Sequence, residues 1–163
     1  MRTQHFLLFV MSIIYVTLIF GCSGTPKPSD LPELYPCTLM ITQDGVPLAD
    51  ASVEFVPAES SQSKYRAVTQ TDESGTSQMS TYGHSGVPAG KYKVVVTKKE
   101  DGEPDRYFKD ESTGEQKPIG WKAYRLVEPK FSSAETTPHE IEIIGKKVTA
   151  TFDVGKAIRV LIE

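Results

Sequence analysis

The chain has 163 residues, a formal net charge of −3 at pH 7, 39% hydrophobic and 24% charged residues, and two cysteines. This is the length of one domain, and its mixed-sign, slightly acidic character excludes a nucleic-acid binder, which needs a basic stripe against the phosphates. Two cysteines, Cys22 and Cys37, are too few for a disulfide scaffold, so stability must come from a packed core.

Met1-Arg2 supplies a positive charge, Phe6 to Phe20 is apolar apart from Ser12 and Thr17, and Leu18-Ile19-Phe20-Gly21-Cys22 closes the run. These are the parts of an export signal over residues 1–21 that ends in a bacterial lipobox: Gly21 is the small residue a signal peptidase accepts, and Cys22 takes the lipid and becomes the new N-terminus. The apolar run is about 15 residues, short of the roughly 20 that span a bilayer. Acyl chains contribute about 0.8 kcal/mol per buried methylene, so two or three of them on Cys22 anchor the chain stably. The membrane is thus the first expected partner, and Ser23, standing where a retention signal places aspartate, favours the outer membrane of a bacterial envelope.

Residues 22–36 follow as a tether. Pro26, Pro28, Pro32 and Pro36 deny backbone donors and resist helix, which predicts an extended linker with structure beginning at Cys37. Over 37–163 the sequence predicts strands. Leu39 and Ile41 alternate with polar neighbours up to an Asp44-Gly45 turn, and Val53 and Phe55 alternate up to Pro57. A polar strand from Tyr65 to Thr71 turns at Asp72-Glu73-Ser74-Gly75 and returns over Thr76 to Tyr82. In Lys91 to Lys98, Tyr92, Val94 and Val96 share one face. Ile141 and Ile143 form a further strand, Val148, Ala150 and Phe152 another, and Ile158, Val160 and Ile162 the inward set of a last one. No segment after the signal shows a helical period, so the expected class is an all-β, antiparallel immunoglobulin- or transthyretin-like sandwich of seven to eight strands.

The stretch from Lys98 to Lys117 differs: twelve of its twenty residues are charged, seven acidic and five basic. So little apolar surface predicts a mobile loop over about 98–118. Trp121, the one tryptophan, and Tyr124 follow it and are the expected partner contacts. Trp121 packs at the base of that loop or offers an aromatic platform to a sugar or peptide.

The run Asp44-Gly45-Val46-Pro47-Leu48-Ala49-Asp50-Ala51-Ser52-Val53-Glu54-Phe55 resembles the opening hairpin of carboxypeptidase-regulatory-like domains. Thr71-Asp72-Glu73-Ser74-Gly75 is similar to their next turn, and Val87-Pro88-Ala89-Gly90-Lys91-Tyr92-Lys93-Val94 to their entry into a central strand. Val127-Glu128-Pro129-Lys130-Phe131 and Glu135-Thr136-Thr137-Pro138 resemble a segment of small bacterial lipoproteins of that type. The resemblance covers residues 37–98, extends more weakly to 145, and implies a transthyretin-like fold, an accessory or binding role and no catalytic residues.

No reactive constellation competes with this. Gly83-His84-Ser85-Gly86 lacks the second glycine of a hydrolase elbow, since Val87 stands there, and no helix can follow it. Cys37 with His84 or His139 does not specify a thiol–imidazole pair, and zinc would find too few ligands. Asp44, Asp50, Asp72 and Glu73 lie in turns without the spacing of a calcium loop. The expectation is a non-enzymatic envelope lipoprotein without cofactor or metal, which contacts a protein or polysaccharide. The alternative is a carrier of a small hydrophobic ligand or a carbohydrate in a pocket of the sandwich.

Overall fold

The computed structural model describes residues 26–58 and 65–162; the signal segment with its expected helix, Gly21, Cys22 and Ser23 lie outside them. Fifteen strands and bridges are found among the described residues, several of only two residues, so the count exceeds the seven to eight expected. In chain order they are β1 (Leu34–Tyr35), β2 (Cys37–Gln43), β3 (Val46–Pro47), β4 (Ser52–Pro57) and β5 (Ala67–Gln70). There follow β6 (Thr76–Gln78), β7 (Ser80–Thr81), β8 (His84–Ser85), β9 (Val87–Pro88) and β10 (Gly90–Thr97). The last are β11 (Lys99–Lys109), β12 (Gln116–Arg125), β13 (Glu140–Ile143), β14 (Val148–Asp153) and β15 (Val160–Ile162), with one 3-10 turn over Pro129–Phe131.

Two main sheets share one core. The first has the order β13-β10-β4-β5-β7-β8; the second is β14-β2-β3, with β6 also paired to β2. Period-two alternation places Leu39 and Ile41 of β2, Val53 and Phe55 of β4, and Tyr92, Val94 and Val96 of β10 inward, and all are buried. The Phe55 and Tyr92 rings stack at 5.6 Å between centroids, and the Tyr92 hydroxyl donates to the Pro88 carbonyl at 2.9 Å. Burial pushes that phenol up to about 12.

The turn chemistry fits the sequence. Asp44 and Gly45 both have left-handed φ, 55° and 77°, as a two-residue hairpin between β2 and β3 requires. Gly75, at φ 72°, permits the closest approach: a Cβ there would stand 2.6 Å from the Ile41 carbonyl oxygen. Between them Thr71 is buried, donating its hydroxyl to the Leu48 carbonyl at 2.6 Å and accepting the Ala51 N–H at 2.8 Å. One hydroxyl thereby ties the β3–β4 connection to the end of β5.

Several expectations are corrected. The tether is not extended through residue 36: Leu31 is buried, the Tyr65 hydroxyl donates to the Asp30 carbonyl at 2.8 Å, and β1 pairs with β9. Leu31 and Tyr35 gain enough apolar burial to dock the segment, and the prolines suit an edge position. The return over Thr76 to Tyr82 is divided. Thr76–Gln78 pairs with β2, Ser80–Thr81 pairs with β5, and buried Met79 sits at the crossing between sheets.

Nor are the sheets wholly antiparallel. β14 runs parallel to β2, Val148 opposite Cys37 and Asp153 opposite Thr42; the hundred-odd intervening residues supply the crossover that a parallel pair needs. The last strand, β15, does not enter the core, since it pairs with β12 and exposes Val160 and Leu161. Val154 is the buried residue of that region instead. The largest departure is the stretch expected as a loop, which forms β11 and half of a long hairpin.

Candidate functional site

β11, β12 and β15 form a three-stranded sheet, an arm, outside the two main sheets. The charges that argue against burial are compatible with strands because their partners lie across the ladder. Lys122 reaches Glu103 at 2.8 Å, Arg159 reaches Glu100 at 3.4 Å, and Lys117 reaches Asp110 in the connecting turn at 2.5 Å. The Lys122 ammonium holds the Glu103 carboxyl below the usual carboxylate range and is itself raised by it. Lys117, helped by the Ser112 hydroxyl, holds Asp110 down to about 2.

The root of the arm is tied to one end of the sandwich. The Lys98 ammonium donates to the Ala49 carbonyl at 2.8 Å, the Gln43 amide to the Leu126 carbonyl at 2.8 Å, and the Leu126 N–H to the Lys98 carbonyl at 3.0 Å. Beyond this root every residue of β11, β12 and β15 is exposed or partly exposed, so neither face of the arm is packed on the core. Tyr107, Phe108, Ile119, Trp121, Val160 and Leu161 are all exposed there, and Met40, Val46, Val68, Tyr82 and Ile144 are the large apolar residues exposed on the rest of the described chain. A run of large exposed apolar residues on one sheet is the kind of feature that interaction surfaces carry.

The two expected contact residues are separated by strand geometry. Trp121 and Tyr124 differ by three positions in β12 and therefore point to opposite faces. Tyr124 is occupied: the Arg159 guanidinium lies 3.5 Å from its ring centroid. On its other side the chain bulges between Asp101 and Pro104, where a Cβ on Gly102 would fall 2.5 Å from the Tyr124 ring. This glycine makes room for the ring. Trp121 is 60% exposed, so it is not packed at the base of the arm. It borders an open groove of about 350 Å³ with Asp105, Gly120, Lys122, Leu161 and Ile162.

The other candidates have structural surroundings. Asp72 accepts from the Ser74 N–H and hydroxyl and the Thr76 N–H, which lowers its pKa and closes its turn. Asp50, like Asp44, takes a left-handed turn conformation. No group of three His, Cys, Asp or Glu side chains comes together among the described residues. Cys37 is buried at the start of β2, and burial pushes its thiol up to about 11, which leaves it protonated and unreactive. His139 stacks on Phe131 and meets the Phe152 ring at a tilt, with its Nε2 2.8 Å from the Asp153 carbonyl. Ser85 lies in β8, the return strand of a short hairpin with β7, where no helix follows it.

No family model matches the chain, and no curated protein matches it. Among solved structures the chain is similar to a 9R-lipoxygenase from Cyanothece PCC8801, with a TM-score of 0.35 and 13% identity over 88% of this chain and 20% of that one. So distant a likeness carries no argument. The arm itself escaped the sequence reading because composition counts charges without showing which strand each will face. The signal that would have found it is the spacing of Glu103 and Lys122 about the Asp110–Gly114 turn.

Proposed function

We propose that this chain is an envelope lipoprotein, held by acyl chains on Cys22, whose carboxypeptidase-regulatory-like sandwich is a non-enzymatic module presenting the arm to a protein or polysaccharide partner. The observation that carries this reading is the opposition of two poles. The chain enters beside the starts of β2 and β14, where the Val148 N–H donates to the Pro36 carbonyl at 3.0 Å and β1 pairs with β9 just ahead of β10. The arm leaves from the other ends of β2 and β10, at Gln43 and Thr97. Seven residues of β2 put roughly 24 Å between the poles at about 3.4 Å per residue. A tether that docks at Leu31 keeps the entry pole close to the membrane and directs the arm away from it.

The carrier reading is less well supported, because Phe55, Tyr92, Leu39, Ile41 and Met79 fill the space between the sheets. The test is capture from intact envelopes by the lipidated protein. Trp121→Ala should lose the captured partner with its Tm unchanged, and Cys22→Ser should lose membrane partition. Unaltered capture by the Trp121 variant would refute the arm as contact surface, and unaltered partition of the Cys22 variant would refute the anchor.

A further inference from the structure

The arm's two faces differ in how their charges are met. Residues directly opposed in an antiparallel pair share a face. On the Tyr124 face, Glu100 and Glu103 are answered by Arg159 and Lys122, and Lys109, opposite Gln116 beside the turn, has no ion pair among the described residues. In the paired register of the described strands, the Trp121 face carries Lys99, Arg106, Lys117 and Arg125 with one carboxylate, Asp101. Arg106 turns to Asp105 at 3.2 Å, at the rim of the groove beside Trp121, and Lys117 to Asp110 in the turn. Lys99 and Arg125 remain. They are directly opposed in the ladder, and neither has an acidic partner within ion-pair distance among the described residues.

Like charges directly opposed weaken a strand pair by a few tenths of a kcal/mol or more. This pair is instead relieved by an anion placed between the two side chains, and the Arg125 guanidinium suits a carboxylate, which it can bind through two parallel N–H groups. Along the same face of β12, Ala123 and then Trp121 follow Arg125, so the indole stands roughly 14 Å from the cation pair at about 3.4 Å per residue. Ala123 keeps the floor between them low, and Asp101 lies opposite it. The strip therefore offers an exposed aromatic ring, a carboxylate that accepts hydroxyl hydrogens, and two uncompensated cations.

The geometry points to an acidic polysaccharide, one with sugar rings bearing hydroxyls and carboxylates, as the ligand of this face; the inference rests on the arm being the contact surface. A sugar ring stacks on Trp121, ring hydroxyls donate to Asp101, and a uronate carboxylate sits between Lys99 and Arg125. Asp101 weighs against a ligand with anionic groups alone, such as a phosphate-rich chain. The position of the arm, opposite the pole where the chain enters, weighs against the lipid surface of its own membrane. Self-association through this face would bring the same unpaired cations together.

The test titrates the full protein in detergent micelles with oligogalacturonate, a neutral glucan of equal length, poly-glutamate, and vesicles containing anionic lipid, following tryptophan fluorescence and calorimetry. Oligogalacturonate should quench Trp121 and bind with an affinity that falls as salt rises, and the other three should bind at least tenfold more weakly. Trp121→Ala and the double variant Lys99→Ala/Arg125→Ala should each lose at least tenfold, while Lys109→Ala leaves affinity unchanged. Equal binding of the neutral glucan, or tighter binding of poly-glutamate or vesicles, overturns the assignment. If Trp121-dependent capture from envelopes persists but oligogalacturonate neither binds nor competes, the acidic glycan is wrong and the display module stands. If Trp121-dependent capture is absent as well, both fall.

Discussion

Thr71→Val is the sharpest test of what holds the sandwich at the turn end of β3, β4 and β5. Valine keeps the shape and the β-branch and removes only the hydroxyl. That hydroxyl donates to Leu48 at 2.6 Å and accepts from Ala51 at 2.8 Å, in a place where Ala51 is fully buried and Leu48 nearly so. The Thr71 backbone is already committed, its N–H to the Ala51 carbonyl at 2.9 Å and its carbonyl to the Asp50 N–H at 3.0 Å, so it offers the stranded groups no replacement.

Each buried backbone group left unsatisfied costs roughly 1–3 kcal/mol, so two give a loss of about 3 kcal/mol if water relieves part of it. That is a large share of the 5–15 kcal/mol typical of a domain. Urea unfolding followed by circular dichroism should show the midpoint falling at constant m-value, as expected when stability changes without a change in the surface exposed. Thr71→Ser, which keeps both bonds and loses a methyl, should cost about 1 kcal/mol. If the valine variant lies within about 0.5 kcal/mol of the parent, or the serine variant is the worse of the two, the hydroxyl is not the tie.

Two further expectations concern a glycine pair and a carboxylate. Gly75→Ala and Gly45→Ala both place a Cβ at left-handed φ, for about 1–2 kcal/mol, but only the former meets backbone, at 2.6 Å, while the latter meets nothing within 4 Å. Chemical denaturation should therefore find Gly75→Ala the more damaging by at least about 1 kcal/mol; equal losses would refute the close packing at the Ile41 carbonyl. Asp110, held down to about 2 chiefly by Lys117, contributes stability that is present above its unfolded value of about 4 and lost as pH falls through about 2. Amide protection factors in β11 and β12, corrected for intrinsic exchange at each pH, should fall over that window while those of the sandwich hold, and Lys117→Ala should abolish most of the difference; pH-independent protection of the arm would contradict the pairing.

The sandwich was legible where short-range rules decide. Asp44-Gly45 forces a hairpin whatever lies beyond it, and the alternation of Tyr92, Val94 and Val96 names a buried face without reference to the partner strands. Pairing across long separations was not legible. Val148, Ala150 and Phe152 announce a strand, but nothing in their spacing says that it lies parallel to Cys37–Gln43. The break at Met79, which passes the chain from one sheet to the other, looks like one continuous strand because its neighbours still alternate. In the same way, Ile158, Val160 and Ile162 alternate as a buried set would, yet β12 takes Val160 and Ile162 onto the arm.

That an exposed three-stranded sheet persists here follows from its root and its edges together. A sheet with no buried face is marginal in isolation. The Lys98, Gln43 and Leu126 hydrogen bonds fix both strands of the hairpin where they leave the sandwich, and buried Val127 continues directly into the core. The outer strand β11 carries Pro104, a bulge and a dense run of charge, the devices that stop an edge from pairing with a stray strand. With its edge blunted in this way, β11 is a poor template for strand addition. On the proposed reading recognition falls to the faces, and on the Tyr124 side Glu100 and Glu103 are met by Arg159 and Lys122. On the Trp121 side Lys99 and Arg125 are unmet, and the acidic glycan proposed above would supply both the flat ring and the counter-charge that this face leaves open.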